Sequence, residues 1–168
     1  MPKYKVIANP AAGHGKAAKA IPLIEQKLAE LGLDYDLVRT NQAGNGIELA
    51  YQAARDGFQV VVAVGGDGTV NEVLNGLMKA QNEGFVAALG VICAGRGNDF
   101  AAGPGIPEDL EGGCLALKQD YRKTIDIGRV TGGSIHWVDT LPTMSGWALM
   151  PSAPSRWPNC PNGACSAS

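Results

Sequence analysis

The sequence has few of the residues that build metal clusters, disulfide frameworks or nucleic-acid surfaces. It contains two histidines and four cysteines among 168 residues. The cysteines show no zinc-ligand spacing, so we expect free thiols in a reducing, cytoplasmic setting. The formal net charge of −2 argues against binding nucleic acid through bulk charge. No apolar run reaches the roughly eighteen residues that a transmembrane helix needs.

A nucleophilic catalytic site is also unsupported, because no Ser/His/Asp or Cys/His arrangement can be assembled from these residues. Glycine, in contrast, is abundant at 23 residues. Several glycines follow short apolar runs of the kind that form buried strands. The sequence therefore favours a binding site made of loops and backbone.

Apolar strand-like runs alternate with amphipathic helical segments along the first 130 residues. Strands are predicted over 4–8, 34–39, 60–64, 87–92 and 123–130. Helices are predicted before Gly32 (with Ile21, Ile24, Leu28 and Leu31 inward), over 47–56, after Thr69 and within 107–119. Pro22 must lie in the first turn of its helix or kink it. The alternation predicts an α/β fold with a mostly parallel sheet flanked by helices.

The stretch from Val60 to Glu72 is the centre of this pattern. It reads as a buried strand, a turn of three glycines around Asp67, and a helix start. Such a turn lets a phosphate approach the backbone, and Asp67 adds a carboxylate where a metal–phosphate pair could sit. Thr69 either caps the helix or bonds a phosphate oxygen. The alternative is a plain tight turn. The stretch matches neither a Walker loop nor the GxGxxG spacing.

Three polar, glycine-bearing loops follow predicted strands, at 9–16, 65–69 and 95–99. Ligands of such sheets bind beyond the carboxyl ends of the strands, so these loops can converge on one crevice. Alternatives stay open within them: Asn9 and Pro10 form only a turn or Asn9 meets a nucleotide, and Lys16 reaches a phosphate or is merely solvated. His14 is expected to be exposed rather than catalytic. Asn98 and Asp99 cap the next helix or contact a ligand.

Three motifs together resemble the bacterial diacylglycerol kinase family, whose relatives include sphingosine and ceramide kinases. They are Asn9-Pro10-x-x-Gly13, the segment from Gly65 to Glu72, and the segment from Gly95 to Ala101. The resemblance covers about residues 3–130, with 126–128 similar to the family's exit from its nucleotide domain. It predicts a nucleotide-binding domain over 1–128, and over 129–168 the start of a second, mainly β domain with an atypical tail.

The resemblance implies a lipid kinase that uses ATP and Mg²⁺ to phosphorylate a lipid hydroxyl such as that of diacylglycerol. Asp67 is the metal candidate, and Asp67 and Asp99 are candidates for assisting catalysis. The implied nucleotide-binding residues are Asn9, Pro10, Ala11, Ala12, Gly13, Thr40, Gly65, Gly66, Asp67, Gly68, Thr69, Val70, Asn71, Glu72, Arg96 and Asn98. Membrane contact would be peripheral, at the inner face, and a homodimer is a further expectation. The alternatives are an NAD kinase-like enzyme and a non-catalytic nucleotide-binding module.

Two features depart from the family pattern. Arg96 stands where the family usually has threonine, so it either blocks the nucleotide path or pairs with phosphate. After Asp139 the only charged residue is Arg156, and no hydrophobic period is present from Thr143 onward. We interpret the tail as the product of a reading-frame change near 140–141, or alternatively as a genuine short tail. The family's general base and lipid site lie in the second domain, so we expect a truncated, inactive form.

Overall fold

Strands and helices alternate through the chain as the sequence pattern predicts. A computed structural model describes residues 2–129 and the pair 140–141. The elements in chain order are β1 (Lys3–Ala8), α1 (Lys16–Glu30), β2 (Asp34–Arg39), α2 (Asn45–Arg55), β3 (Val60–Gly65), α3 (Asp67–Asn82), β4 (Ala88–Cys93), α4 (Asp99–Ala102), α5 (Leu110–Gln119), β5 (Gly128–Arg129) and β6 (Thr140–Leu141).

The first four strands form one sheet in the order β2-β1-β3-β4, and all three pairings are parallel. The predicted α/β class is therefore confirmed. Consecutive strands β1 and β2 pair on one side of the sheet, whereas β3 and β4 extend it on the other side. The strand order thus reverses between β1 and β3, and this is the place where parallel α/β sheets bind ligands.

The core consists of two layers, one on each face of the sheet. Alternate residues of β3 enter opposite layers, with Val61 and Ala63 in one and Val60, Val62 and Val64 in the other. The first layer is completed by α2 and α3, and the second by α1 and α5. Both faces of β3 and β4 are covered, which explains why their sequences are continuous apolar runs without polar alternation.

Two local predictions need correction or refinement. The strand predicted over 123–130 is wrong in extent, because only Gly128–Arg129 is strand in the described part, and it pairs antiparallel with Thr140–Leu141. Ile125 and Ile127 do pack on the core. Their alternation therefore indicates that one face of this segment is buried, not that its backbone pairs with a neighbouring strand. Pro22 lies inside α1, beyond its first turn.

Among the described residues, no helix is both long and apolar enough to cross a bilayer. The predictions for the tail after 141, including Cys160 and Cys165, lie outside the described residues.

Candidate functional site

The turn after β3 and the loop after β4 meet through their glycines. A Cβ added to Gly95 would overlap the Cα of Gly66 and lie 2.9 Å from its nitrogen. A Cβ on Gly66 would lie 3.1 Å from the Cα of Gly95. The two backbones are therefore in direct contact, which requires glycine at position 95 and leaves little room for a Cβ at position 66.

The loop after β1 closes the other side. The Asn9 side chain donates from Nδ2 to Oγ1 of Thr69 over 3.1 Å, and its Oδ1 accepts from the Ala11 backbone over 3.0 Å. Gly13 has a φ of 60°, and a Cβ there would lie 2.9 Å from the Ala94 carbonyl oxygen. This loop thus reaches over the end of β3 as far as the end of β4.

The three loops line an open cleft of about 450 Å³ at the carboxyl end of the sheet. It lies at the point where the strand order reverses. Its lining residues are Asn9, Ala11, Ala12, Gly13, His14, Gly66, Gly68, Thr69, Glu72, Gly95 and Arg96. The predicted convergence of the three loops is therefore observed.

The N-terminus of the sixteen-residue helix α3 faces this cleft. Its N-cap is Gly66, which offers no side-chain cap. A Cβ on Gly68 would meet nothing within 4 Å, so the space above this first turn is open. Backbone N–H groups and the positive end of the helix dipole make such a position suitable for an anion.

Asp67 connects α3 to the loop after β4. Its Oδ1 accepts from the Phe100 backbone N–H at 2.9 Å, within the first turn of α4. A Cβ on Gly97 would lie 3.1 Å from Oδ2 of Asp67 and 3.7 Å from both carboxylate oxygens of Asp99. Two carboxylates therefore flank Gly97 on the same side. In the described part of the chain, no cluster of three metal-ligating side chains is present.

Two capping alternatives from the sequence are resolved here. Thr69 does not cap α3, since it is buried within the helix and accepts from Asn9 instead. Asn98 occupies the N-cap position of α4 in the left-handed region, with φ 56°, but makes no side-chain cap. Its Oδ1 accepts from the Gly95 backbone at 3.2 Å and shapes the loop.

Arg96 and His14 meet across the mouth of the cleft. Nη1 of Arg96 contacts Nε2 of His14. A guanidinium can only donate, so the imidazole nitrogen accepts in this contact. Both residues are exposed, as predicted for His14. A cationic side chain at the rim favours an anionic ligand beneath it.

The predicted nucleotide-binding residues fall into two groups. Asn9, Ala11, Ala12, Gly13, Gly66, Gly68, Thr69, Glu72 and Arg96 line the cleft. Pro10, Thr40, Gly65, Asp67, Val70, Asn71 and Asn98 are absent from that lining. Val70 packs in the core, and the Thr40 backbone N–H donates to the Ala8 carbonyl at 2.8 Å. Their roles toward a nucleotide stay predictions.

Gly95 and His14 line the cleft without having been singled out as binding residues. The sequence does carry a signal for Gly95, because this glycine begins the third motif, two residues after β4. The local sequence does not predict the His14–Arg96 contact, because the two residues lie 82 positions apart.

Cys93 lies at the end of β4, beside the site, yet it is poorly suited as a nucleophile. Burial raises the pKa of its thiol to about 11, with Glu108 and Asp67 adding to the effect. Cys114 in α5 is buried likewise, and desolvation raises its pKa to about 11. Both are free thiols, as predicted. A thiol of such a pKa stays protonated at neutral pH and unreactive.

The fold and the site together define a parallel α/β domain with a glycine-walled cleft at the strand-order reversal. The family model of the diacylglycerol kinase catalytic domain matches residues 3–130. The chain therefore belongs to the diacylglycerol kinase catalytic-domain family.

Individual relatives agree with this assignment. The diacylglycerol kinase of Bacillus subtilis (strain 168) is 37% identical over 133 residues, which are 79% of this chain and 43% of that protein. That of Staphylococcus aureus (strain bovine RF122 / ET3-1) is 32% identical, over 76% of this chain and 40% of the relative. A crystal structure of a diacylglycerol kinase from Bacillus anthracis str. Sterne has a TM-score of 0.66 at 27% identity, over 74% of this chain and 42% of that one. The chain spans less than half the length of these relatives.

Proposed function

We propose that this chain is the nucleotide-binding part of a diacylglycerol-type lipid kinase and that its cleft binds Mg²⁺·ATP. In the complete reaction the γ-phosphoryl group of ATP would pass to a lipid hydroxyl, and ADP and a phosphorylated lipid would result. Peripheral contact with a membrane surface would bring the lipid to the site.

The observation that best supports the proposal is the backbone contact between Gly66 and Gly95 beside the open N-terminus of α3. It leaves a cleft whose floor is backbone, where phosphate oxygens can reach N–H groups without meeting a Cβ. Gly68 keeps the first turn of α3 open. Arg96 at the rim supplies positive charge.

The acidic residues present fit Mg²⁺ as a partner of the phosphates. Mg²⁺ usually keeps several waters and is held by one or two carboxylates plus substrate phosphates, so a complete protein cage is unnecessary. Asp67 and Asp99 flank Gly97 and are the side chains that would hold the hydrated ion. Bound there, the ion would neutralise charge on the transferring phosphoryl group.

The chemistry asked of this domain is positioning and charge stabilisation. The hydrogen bond from Asn9 to Thr69 holds the loop after β1 against the first turn of α3. Backbone N–H groups at the start of α3 would orient the phosphates. We expect the base that accepts the hydroxyl proton to come from outside residues 2–129, so this chain would bind nucleotide without efficient turnover.

Calorimetric titration of Mg²⁺·ATP into the full chain tests the proposal, with Asp67→Ala and Asp109→Ala beside it. We expect binding in the wild type and weaker binding in Asp67→Ala, because that change removes a metal partner and the acceptor for Phe100. Asp109 caps α5 on the opposite face of the sheet from α3 and does not line the cleft, so Asp109→Ala should bind like the wild type. Absence of wild-type binding at millimolar ATP would contradict the proposal.

Turnover is measured separately, as ADP formation in the presence of diacylglycerol vesicles. Nucleotide binding with little ADP formation would agree with a base from elsewhere. Phosphorylation of diacylglycerol at rates typical of kinases, about 1–100 s⁻¹, would refute that part and show that residues of this chain suffice.

A further inference from the structure

We infer that Glu72 is a positioning residue that fastens the start of α2 to α3 and thereby sets the rim of the cleft. The inference rests on the proposed nucleotide function and assigns Glu72 a role other than touching the ligand. Glu72 lies one and a half turns into α3 and lines the cleft.

Both carboxylate oxygens of Glu72 are already engaged. Oε1 accepts from the Gly44 backbone N–H at 2.8 Å, and Oε2 accepts from the Gly46 N–H at 2.9 Å. Gly44 is the N-cap of α2 and has no side chain with which to cap the helix. The carboxylate from α3 therefore does the capping, with its charge at the positive end of the α2 dipole.

The backbones of α2 and α3 are closely packed around this contact. A Cβ on Gly46 would lie 2.7 Å from Oε2 of Glu72 and 3.0 Å from its Cβ. One turn further along α3, a Cβ on Gly76 would overlap the Ile47 carbonyl and lie 2.8 Å from the Cβ of Ala50. Two glycines thus bring α2 and α3 close enough for Glu72 to reach its donors.

The hydrogen bonds to Glu72 hold one end of the segment that connects β2 to α2. That segment is held at one end by the Thr40 N–H, which donates to the Ala8 carbonyl at 2.8 Å, and at the other by Glu72. Release of the second attachment would loosen the start of α2 and free the Glu72 side chain, which itself lines the cleft. Nucleotide affinity would fall because a cleft-lining side chain that is mobile must be ordered when the ligand binds.

The experiment compares Glu72→Gln with two controls in the full chain. Glu48→Gln changes another carboxylate in the first turn of α2, one that pairs with Lys79 at 3.3 Å. Tyr51→Phe removes the hydroxyl that donates to Glu83 at 2.8 Å and so weakens the far end of the same helix pair. Calorimetry with ATP, with and without Mg²⁺, is combined with amide hydrogen exchange of the nucleotide-free proteins.

In Glu72→Gln we expect exchange at Gly44 and Gly46 to accelerate and the dissociation constant for ATP to rise on the order of tenfold. The loss should be the same with and without Mg²⁺. Both controls should retain wild-type affinity and wild-type exchange at Gly44 and Gly46.

A loss seen only with Mg²⁺ would overturn the inference and make Glu72 a metal partner. An equal loss in Tyr51→Phe would overturn it as well, since it would show a general effect of weakened helix packing. Unchanged exchange at Gly44 and Gly46 would do the same. If the wild type itself does not bind ATP, the proposed function is wrong and this inference is wrong with it. In that case no variant would give a binding signal in calorimetry, which distinguishes this outcome from a failure of the Glu72 inference alone.

Discussion

At the scale of single residues, the glycines of the site serve two different purposes. Gly95 is required by packing, because any side chain there would overlap the backbone of Gly66. Gly68 meets nothing within 4 Å and adopts an ordinary helical position in α3. The fold does not require the absence of a side chain at Gly68, whereas the phosphate of the proposed function would approach at this position. The two positions therefore separate the requirements of stability from those of binding.

Gly95→Ala is expected to lower the free energy of unfolding by about 3 kcal/mol, because two backbones in contact must move apart. Gly68→Ala should leave it unchanged or raise it by up to about 1 kcal/mol, since alanine favours a helix. Gly68→Ala should nonetheless weaken ATP binding. Urea unfolding and calorimetry check both. Equal destabilisation by the two substitutions would contradict this distinction.

At the scale of the elements, helix capping shows how the site is assembled. Helices α1, α2 and α3 each begin after a glycine N-cap that makes no side-chain cap. Two carboxylates of α3 instead accept hydrogen bonds from the first turns of neighbouring helices. Glu72 accepts from α2, and Asp67 accepts from α4. This leaves the start of α3 itself open for a ligand. Helix α5, on the opposite face from α3, is capped by its own Asp109, which accepts from the Gly112 N–H at 2.7 Å.

The α5 cap is therefore a purely structural one. Asp109→Ala should lower the free energy of unfolding by about 1 kcal/mol, because a helix N–H loses its acceptor. Asp109→Asn keeps a side-chain acceptor and should cost only a fraction of that. Urea denaturation followed by circular dichroism measures both. A loss in Asp109→Asn as large as that in Asp109→Ala would show that charge, and not the hydrogen bond, matters here.

Prediction from sequence succeeded for the elements whose burial is periodic or continuous. Ile21, Ile24 and Leu28 follow helical spacing, and β2 was placed at its observed bounds. It failed for the strand predicted over 123–130, where Ile125 and Ile127 alternate as in a strand but, of the described residues 123–129, only 128–129 form one. Alternation reports which side chains are covered. It does not report whether the backbone finds a hydrogen-bonding partner, and that depends on neighbours distant in sequence.

At the scale of the whole molecule, the two buried thiols make stability depend on alkaline pH. Desolvation raises the pKa of Cys93 and Cys114 from the ordinary 9.0 to about 11 in the folded state. Their stabilising contribution is full below pH 9, where both states are protonated. It is lost between about pH 9 and 11, since the unfolded chain releases its thiol protons first.

The expected loss is of order 1–2 kcal/mol per thiol by pH 11. The double variant Cys93→Ala/Cys114→Ala should show a shallower decline over this window, even though its stability at pH 7 is lower. Tyr4 remains as a control within the same protein, because burial raises its pKa too and its effect appears above pH 10. Identical pH slopes for the wild type and the double variant would refute the assignment to the thiols.

The sequence by itself determined the parallel α/β class, the order of the strands and helices, and the three glycine loops that carry the family's motifs. These are local properties, since periodic burial and the freedom of glycine are written in consecutive residues. Only the tertiary structure decided that Gly66 touches Gly95, that Glu72 caps α2 and that Arg96 meets His14. Those contacts join residues 26 to 82 positions apart. They exist because packing of the helices on the sheet brings the loop ends to one edge, and no local pattern encodes which atoms then meet.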